Sequence, residues 1–134
     1  MVYIFYKQSE FVRMLVIAIL GAILGFITYE IIYYLNPLSP KATISWTIAF
    51  LVGVIRQHAL HRHFTFLNKA PYFKSLYKAY IVDLGVLIFS SALNWFLIET
   101  LYLNHRLTWL ICLLLSSLIS MIFLRNYIFK KPIK

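Results

Sequence analysis

Apolar residues in this chain gather into four long runs separated by short polar breaks. The runs cover residues 14–35, about 43–61, about 79–103 and 107–124, and each predicts a helix. The first has 22 residues and the fourth 18, close to the least that crosses ~30 Å of hydrocarbon. The first is too long for the core of a cleaved signal peptide, so it is expected to stay as the first helix. The breaks are equally legible. Asn36-Pro37-Leu38-Ser39-Pro40 stops a helix, because proline lacks the N–H and restricts its predecessor. Asn104-His105-Arg106 is the matching short turn. The middle connection, about residues 61–78, is the one sizeable loop, with Pro71 near its centre.

The pattern occurs twice. Arg62-His63-Phe64-Thr65-Phe66 follows the second run and Arg125-Asn126-Tyr127-Ile128-Phe129 the fourth, 63 residues later. Both read Arg-x-aromatic-x-Phe. At the same spacing Trp46 answers Trp109 and Ser45 answers Thr108. Glu30 precedes Leu35-Asn36 as Glu99 precedes Leu103-Asn104. A repeat of this period points to a duplicated unit. Here the unit is a membrane hairpin, with repeat one at about 11–66 and repeat two at about 74–129.

Composition narrows the class. Of the 134 residues, 62% are hydrophobic and 13% charged, with mean hydropathy +0.80. A soluble domain of this size cannot hide that much apolar surface, so lipid is the expected solvent. The net charge of +9 does not indicate nucleic acid, because the basic residues flank the apolar runs and form no groove-facing stripe. Eleven of the thirteen Lys and Arg residues fall near the termini and the middle loop, and only Lys41 and Arg106 fall in the short turns. The positive-inside rule therefore predicts cytoplasmic termini and a cytoplasmic middle loop. The expected fold is a single all-α membrane domain of four transmembrane helices, arranged as two parallel two-helix repeats. The expected location is the cytoplasmic (cell) membrane.

Ionisable residues inside apolar runs are the sharpest chemical signals, since a charge at the bilayer centre costs ~2.5–3.5 kcal/mol on insertion scales. Arg56, Gln57 and His58 lie in the second run, and Asp83, Asn94 and Glu99 in the third. An Arg56–Asp83 pair would fix helix register, or form part of a polar path for a charged headgroup. Asn94 would be a middle step on that path, with Glu30 and Glu99 at its outer end. Both glutamates could equally pair with Lys41 and Arg106. Arg62 and Arg125 suit lipid phosphate oxygens through their planar forks, as does Arg56. Phe64, Phe66, Tyr127 and Phe129 would contact the headgroup or line an aromatic belt, as would Trp46 and Trp109 at the starts of their spans. Cys112 sits alone in an apolar run, and His58, His61 and His63 have no acidic or thiol neighbour, so no metal or cofactor is expected. No phosphate loop, nucleophile elbow or HExxH motif is present, so the chain does not read as an enzyme.

Duplication, size and the Arg-x-aromatic-x-Phe exits together resemble the GtrA-like family over about residues 11–129. Members carry an Asn-aromatic pair before each exit arginine. Here those places hold Gln57-His58 and Ser120-Met121. The resemblance implies a flippase that moves polyprenyl-phosphate-linked monosaccharides to the outer leaflet for cell-surface polysaccharide glycosylation. It also implies a partner membrane glycosyltransferase that makes the lipid-linked sugar. Four helices enclose little volume, so a homo-oligomer is expected as well. Two other readings stand beside it. One is a non-transporting anchor or scaffold for a glycosyltransferase. The other is a small multidrug-resistance-like proton exchanger, which needs a carboxylate deep in its first span, where Glu30 is too near the end.

Overall fold

A computed structural model describes residues 2–65, 71–123 and 126. These are helical apart from short connections, with no strand among them. A short helix, α1 (Val2–Lys7), leads into α2 (Glu10–Leu35). Ser9 caps α2 by accepting a hydrogen bond from the Val12 N–H, and Glu10 in the first turn complements the helix dipole. Asn36 ends α2 where the first proline stands. Then α3 (Lys41–Leu60) begins directly after Pro40 and closes in a π-helical turn over His61–Thr65. Pro71 starts α4 (Tyr72–Trp95), which ends in a second π turn, Phe96–Thr100. The chain leaves that turn through Tyr102, whose φ of 53° is left-handed, with its N–H on the Ile98 carbonyl. Last comes α5 (His105–Phe123).

The two turns use the same device. The Asn36 side chain accepts the Leu38 N–H at 2.9 Å, and the Asn104 side chain accepts the Arg106 N–H at 2.9 Å. Asparagine favours such turns because its side chain mimics a backbone carbonyl. Both turns lie at one end of the bundle. There Arg106 of α5 grips Glu30 of α2 with two bonds of 3.2 and 3.0 Å. The His105 ring stacks on Tyr33 at 4.1 Å, and the Lys41 ammonium sits over the Tyr33 ring, 4.9 Å from its centre.

The helices pack in chain order, α2 on α3, α3 on α4 and α4 on α5. Toward the turn end, Tyr29, Trp46, Ala49, Trp109 and Cys112 form one buried cluster. Outward faces are apolar: Leu15, Ile19, Ile23, Ile27 and Ile31 of α2 are all exposed. A row of this kind is stable against lipid and not against water. Among the described residues, three helical stretches are long and apolar enough to cross a membrane: α2, α4 with its π turn, and α5. Four were expected. The difference lies in α3, where polar residues dilute the hydropathy because they face protein. Ser45 and His58 are buried, and Thr47 meets Ser91 at 3.0 Å. The protein is thus a multi-pass integral membrane protein with three helices that qualify on their own.

At the opposite end, Arg13 of α2 donates from Nε and Nη2 to the Thr65 carbonyl, at 3.2 and 2.9 Å. A cation on a helix-end carbonyl is favourable on both hydrogen-bond and dipole grounds. Arg13→Ala should lower stability by about 1–2 kcal/mol, from the loss of charged hydrogen bonds. Thermal unfolding in detergent, followed by circular dichroism, checks this.

Candidate functional site

Small residues open the bundle where polar ones enter it. On α2, Gly21 and Gly25 stand one turn apart on a single face, with Ala18 and Ala22 beside them. Small residues at such spacing let neighbouring helices approach closely in lipid. Here the space is taken by side chains of α3. A Cβ on Gly21 would overlap the Gln57 amide, and one on Gly25 would lie 3.3 Å from Arg56 Nη2. A Cβ on Gly53 would lie 3.5 Å from the same nitrogen. The result is a partly open cavity of about 140 Å³ lined by α2, α3, α4 and α5. Trp46 and Trp109 bound it toward the turns and His61 toward the other end.

Each polar wall has a defined state. Arg56 Nη1 donates to Thr28 Oγ1 at 3.1 Å, while its Nε–H is buried with no partner. Gln57 Nε2 donates to His61 Nε2 at 3.3 Å, and Gln57 Oε1 is a buried acceptor with none. His61 Nε2 must therefore accept, which puts its proton on Nδ1, 3.0 Å from Thr65 Oγ1. Across the cavity, Ser120 of α5 donates to Asp83 Oδ1 of α4 at 2.7 Å. Ser116 and Ser117 add hydroxyls on the same helix. Unsatisfied buried polar atoms are uncommon in folded proteins and call for an account. An unpaired guanidinium N–H and an unpaired amide oxygen in one cavity can hold an anion and a hydroxyl together.

The expected residues divide accordingly. The cavity brings together Arg56, Gln57, His58, Asp83, Trp46 and Trp109. It does not contain an Arg56–Asp83 ion pair; among the described residues Asp83 is held by Ser120 instead. Trp46 and Trp109 face protein, being 3% and 7% exposed. The Trp46 indole donates to Ser90 Oγ at 3.1 Å, and Trp109 meets the Phe26 edge at 5.0 Å. They are buried because each indole finds partners on a neighbouring helix. Asn94 is buried nearer the turns, where its Oδ1 accepts from Thr43 at 3.2 Å. Glu30 and Glu99 are not on the cavity wall. Glu30 is taken up by Arg106, and Glu99 is exposed on the second π turn.

Arg62 also departs from expectation. It is 9% exposed and turned inward, donating to Ser75 Oγ at 3.1 Å and lying 5.6 Å from the Tyr72 ring centre. His58 Nε2 meets the same serine at 3.0 Å. Ser75 donates onward to the Tyr72 carbonyl, so it receives both of the other groups. From the first π turn the Arg62 side chain reaches Ser75 and Tyr72 of α4. Phe64 is exposed and meets the edge of Phe5. Phe66, Arg125, Tyr127 and Phe129 lie outside the described residues.

Sequence reasoning did not single out Thr28, Ser75, Tyr72 or the three glycines as site residues. The Gly21-x-x-x-Gly25 spacing was the available signal, since it marks a face where something approaches closely. The family model for the GtrA/DPMS transmembrane domain matches residues 8–132. No curated protein and no solved structure matches the chain.

Proposed function

The chain belongs to the GtrA/DPMS transmembrane-domain family, and from that premise we propose that it is a flippase for polyprenyl-phosphate-linked monosaccharides. Family and membrane helices together fit a membrane protein that handles lipid-linked sugars. The finer reading rests above all on one observation: a cavity inside an apolar-faced bundle, with the Arg56 N–H and the Gln57 carbonyl oxygen both unpartnered. A phosphate needs the first and a sugar hydroxyl suits the second. Asp83 and the α5 serines offer further acceptors for hydroxyls, while the isoprenoid tail stays in lipid.

In this reading α3 is the fourth span, shielded by its neighbours. The two hairpins are parallel repeats, with the termini and middle loop in the cytoplasm. The protein sits in the cytoplasmic membrane as a homo-oligomer, beside a glycosyltransferase that loads the lipid. Protein reconstituted in liposomes should bring a polyprenyl-phosphate monosaccharide to the opposite leaflet faster than protein-free liposomes do. No acceleration with several sugars, together with retained binding to a glycosyltransferase in detergent, would identify a scaffold instead.

A further inference from the structure

The cavity holds two opposite charges that do not meet. Arg56 on α3 donates to Thr28 and keeps its Nε–H unused. Asp83 on α4 is held by the Ser120 hydroxyl, with no ion pair to Arg56 among the described residues. Left as they are, the two charges balance. An anion placed against Arg56 upsets that balance, because a second negative charge then shares about 140 Å³ with the Asp83 carboxylate. Repulsion between unit charges at that scale, in a protein interior, weakens binding on the order of 10- to 100-fold.

We propose that the cavity binds a phosphate ester and a proton together, the ester at Arg56 and the proton on Asp83, so that transport is proton-coupled. This rests on the reading above that the cavity takes a phosphate-linked lipid. Neutral Asp83 removes the repulsion and leaves Arg56 and the phosphate as a balanced pair. Ser120 accommodates either state, since a hydroxyl donates to a carboxylate and accepts from a carboxylic acid. No bond is made or broken; one proton passes from the aqueous phase to Asp83 for each anion bound.

The other groups around Asp83 fit this assignment. Across from it α3 presents Arg56 and His58, and the first π turn presents His61. Tyr80 stands one turn away on α4 and donates to the Leu51 carbonyl at 3.0 Å. The α5 wall offers only serines and apolar groups, and the α2 wall only glycine and alanine. His61 has both ring nitrogens engaged, with Gln57 and Thr65, and His58 Nε2 is engaged by Ser75. Asp83 is the carboxylate on the wall.

The sign follows from linkage. The anion-bound form carries one more proton than the free form, so affinity rises as pH falls and declines as pH rises. The probe is a short-chain isoprenoid phosphodiester of a hexose, whose charge is constant over this range. Its affinity for full-length protein in detergent is measured between about pH 5 and 8. Wild type should lose about 10- to 100-fold in affinity in all as pH rises through the titration of Asp83, with a steepest slope of roughly three- to sevenfold per pH unit. Calorimetry in buffers of different ionisation enthalpy should show up to about one proton taken up per anion. Asp83→Asn should bind with no pH dependence and no proton uptake. Binding without proton uptake by wild type overturns the coupling and leaves the flippase reading standing. A pH dependence that persists in Asp83→Asn and disappears in His58→Gln or His61→Gln overturns it too. No binding at any pH overturns both. The wild-type calorimetry decides the matter even if the Asp83 variant does not fold.

Discussion

Replacing Arg56 with glutamine should slow lipid-sugar translocation by about 10- to 150-fold, while the protein stays folded. The guanidinium is lodged between Gly25 and Gly53 and tied to Thr28, so its position is fixed before any anion arrives. A charged hydrogen bond in a partly buried site contributes about 1.5–3 kcal/mol. That is roughly a 10- to 150-fold change in binding. Glutamine keeps a polar head but has neither the charge nor the reach. Lysine at this position should recover part of the loss, because it restores the charge without the planar fork. Gly25→Val supplies an independent check, since its added carbons meet the Arg56 head and displace it. Leaflet accessibility of the lipid-sugar in liposomes is the measurement. Wild-type rates in Arg56→Gln would remove Arg56 from the pathway. The same variant should melt no lower than wild type, because it removes a charge that no carboxylate balances directly. Function and stability pull apart at this residue, as they do at many binding sites.

The second large effect is structural. Trp46→Ala and Trp109→Ala should each destabilise the bundle by about 3–5 kcal/mol, the range for removing a large buried aromatic. Both indoles lie in the cluster with Tyr29, Ala49 and Cys112, and both form the cavity's end wall. In lipid the driving force is packing and hydrogen bonding rather than escape from water. A hole left among four helices forfeits those contacts outright. Trp46→Phe separates the parts. It keeps most of the ring volume and drops the N–H on Ser90, so the expected loss is only about 1 kcal/mol. Thermal unfolding in detergent reads all three. A Trp46→Ala protein within 1 kcal/mol of wild type would place the indole at the lipid boundary after all.

Those tryptophans also mark where sequence reading reached its limit. A tryptophan at the start of a membrane helix ordinarily anchors at the headgroup level, and nothing local separates that case from burial. The deciding partners are Ser90 on α4 and Phe26 on α2, which are remote in sequence. Arg62 is a similar case. Its motif suits an interface, yet a π turn rotates the side chain toward Ser75 and Tyr72. Helices, breaks and turns were legible because proline, asparagine and long apolar runs act over a few residues. Arg56, Gln57, His58 and Asp83 were legible as site residues because charge in an apolar run always demands a reason. Their arrangement was not. An Arg56–Asp83 pair follows from chemistry alone, but the fold gives Asp83 a serine from α5 instead. Glu30 and Glu99 were matched by position in the repeat, and only the former meets Arg106.

The two asparagine turns bear on how such a chain is made. Asn36 bonds to Leu38, Lys41 and Ser45, all within the first hairpin. Asn104 bonds to Arg106, and its carbonyl receives the Thr108 N–H, within the second. The asparagine bonds of each bend stay within its own half, and the links between the halves at this end are made by His105 and Arg106 on Tyr33 and Glu30. The bonds that Asn36 makes need nothing synthesised after Ser45, so the first hairpin can bend before the second half of the chain is made. The cavity draws walls from both halves, so it is complete only when both are in place.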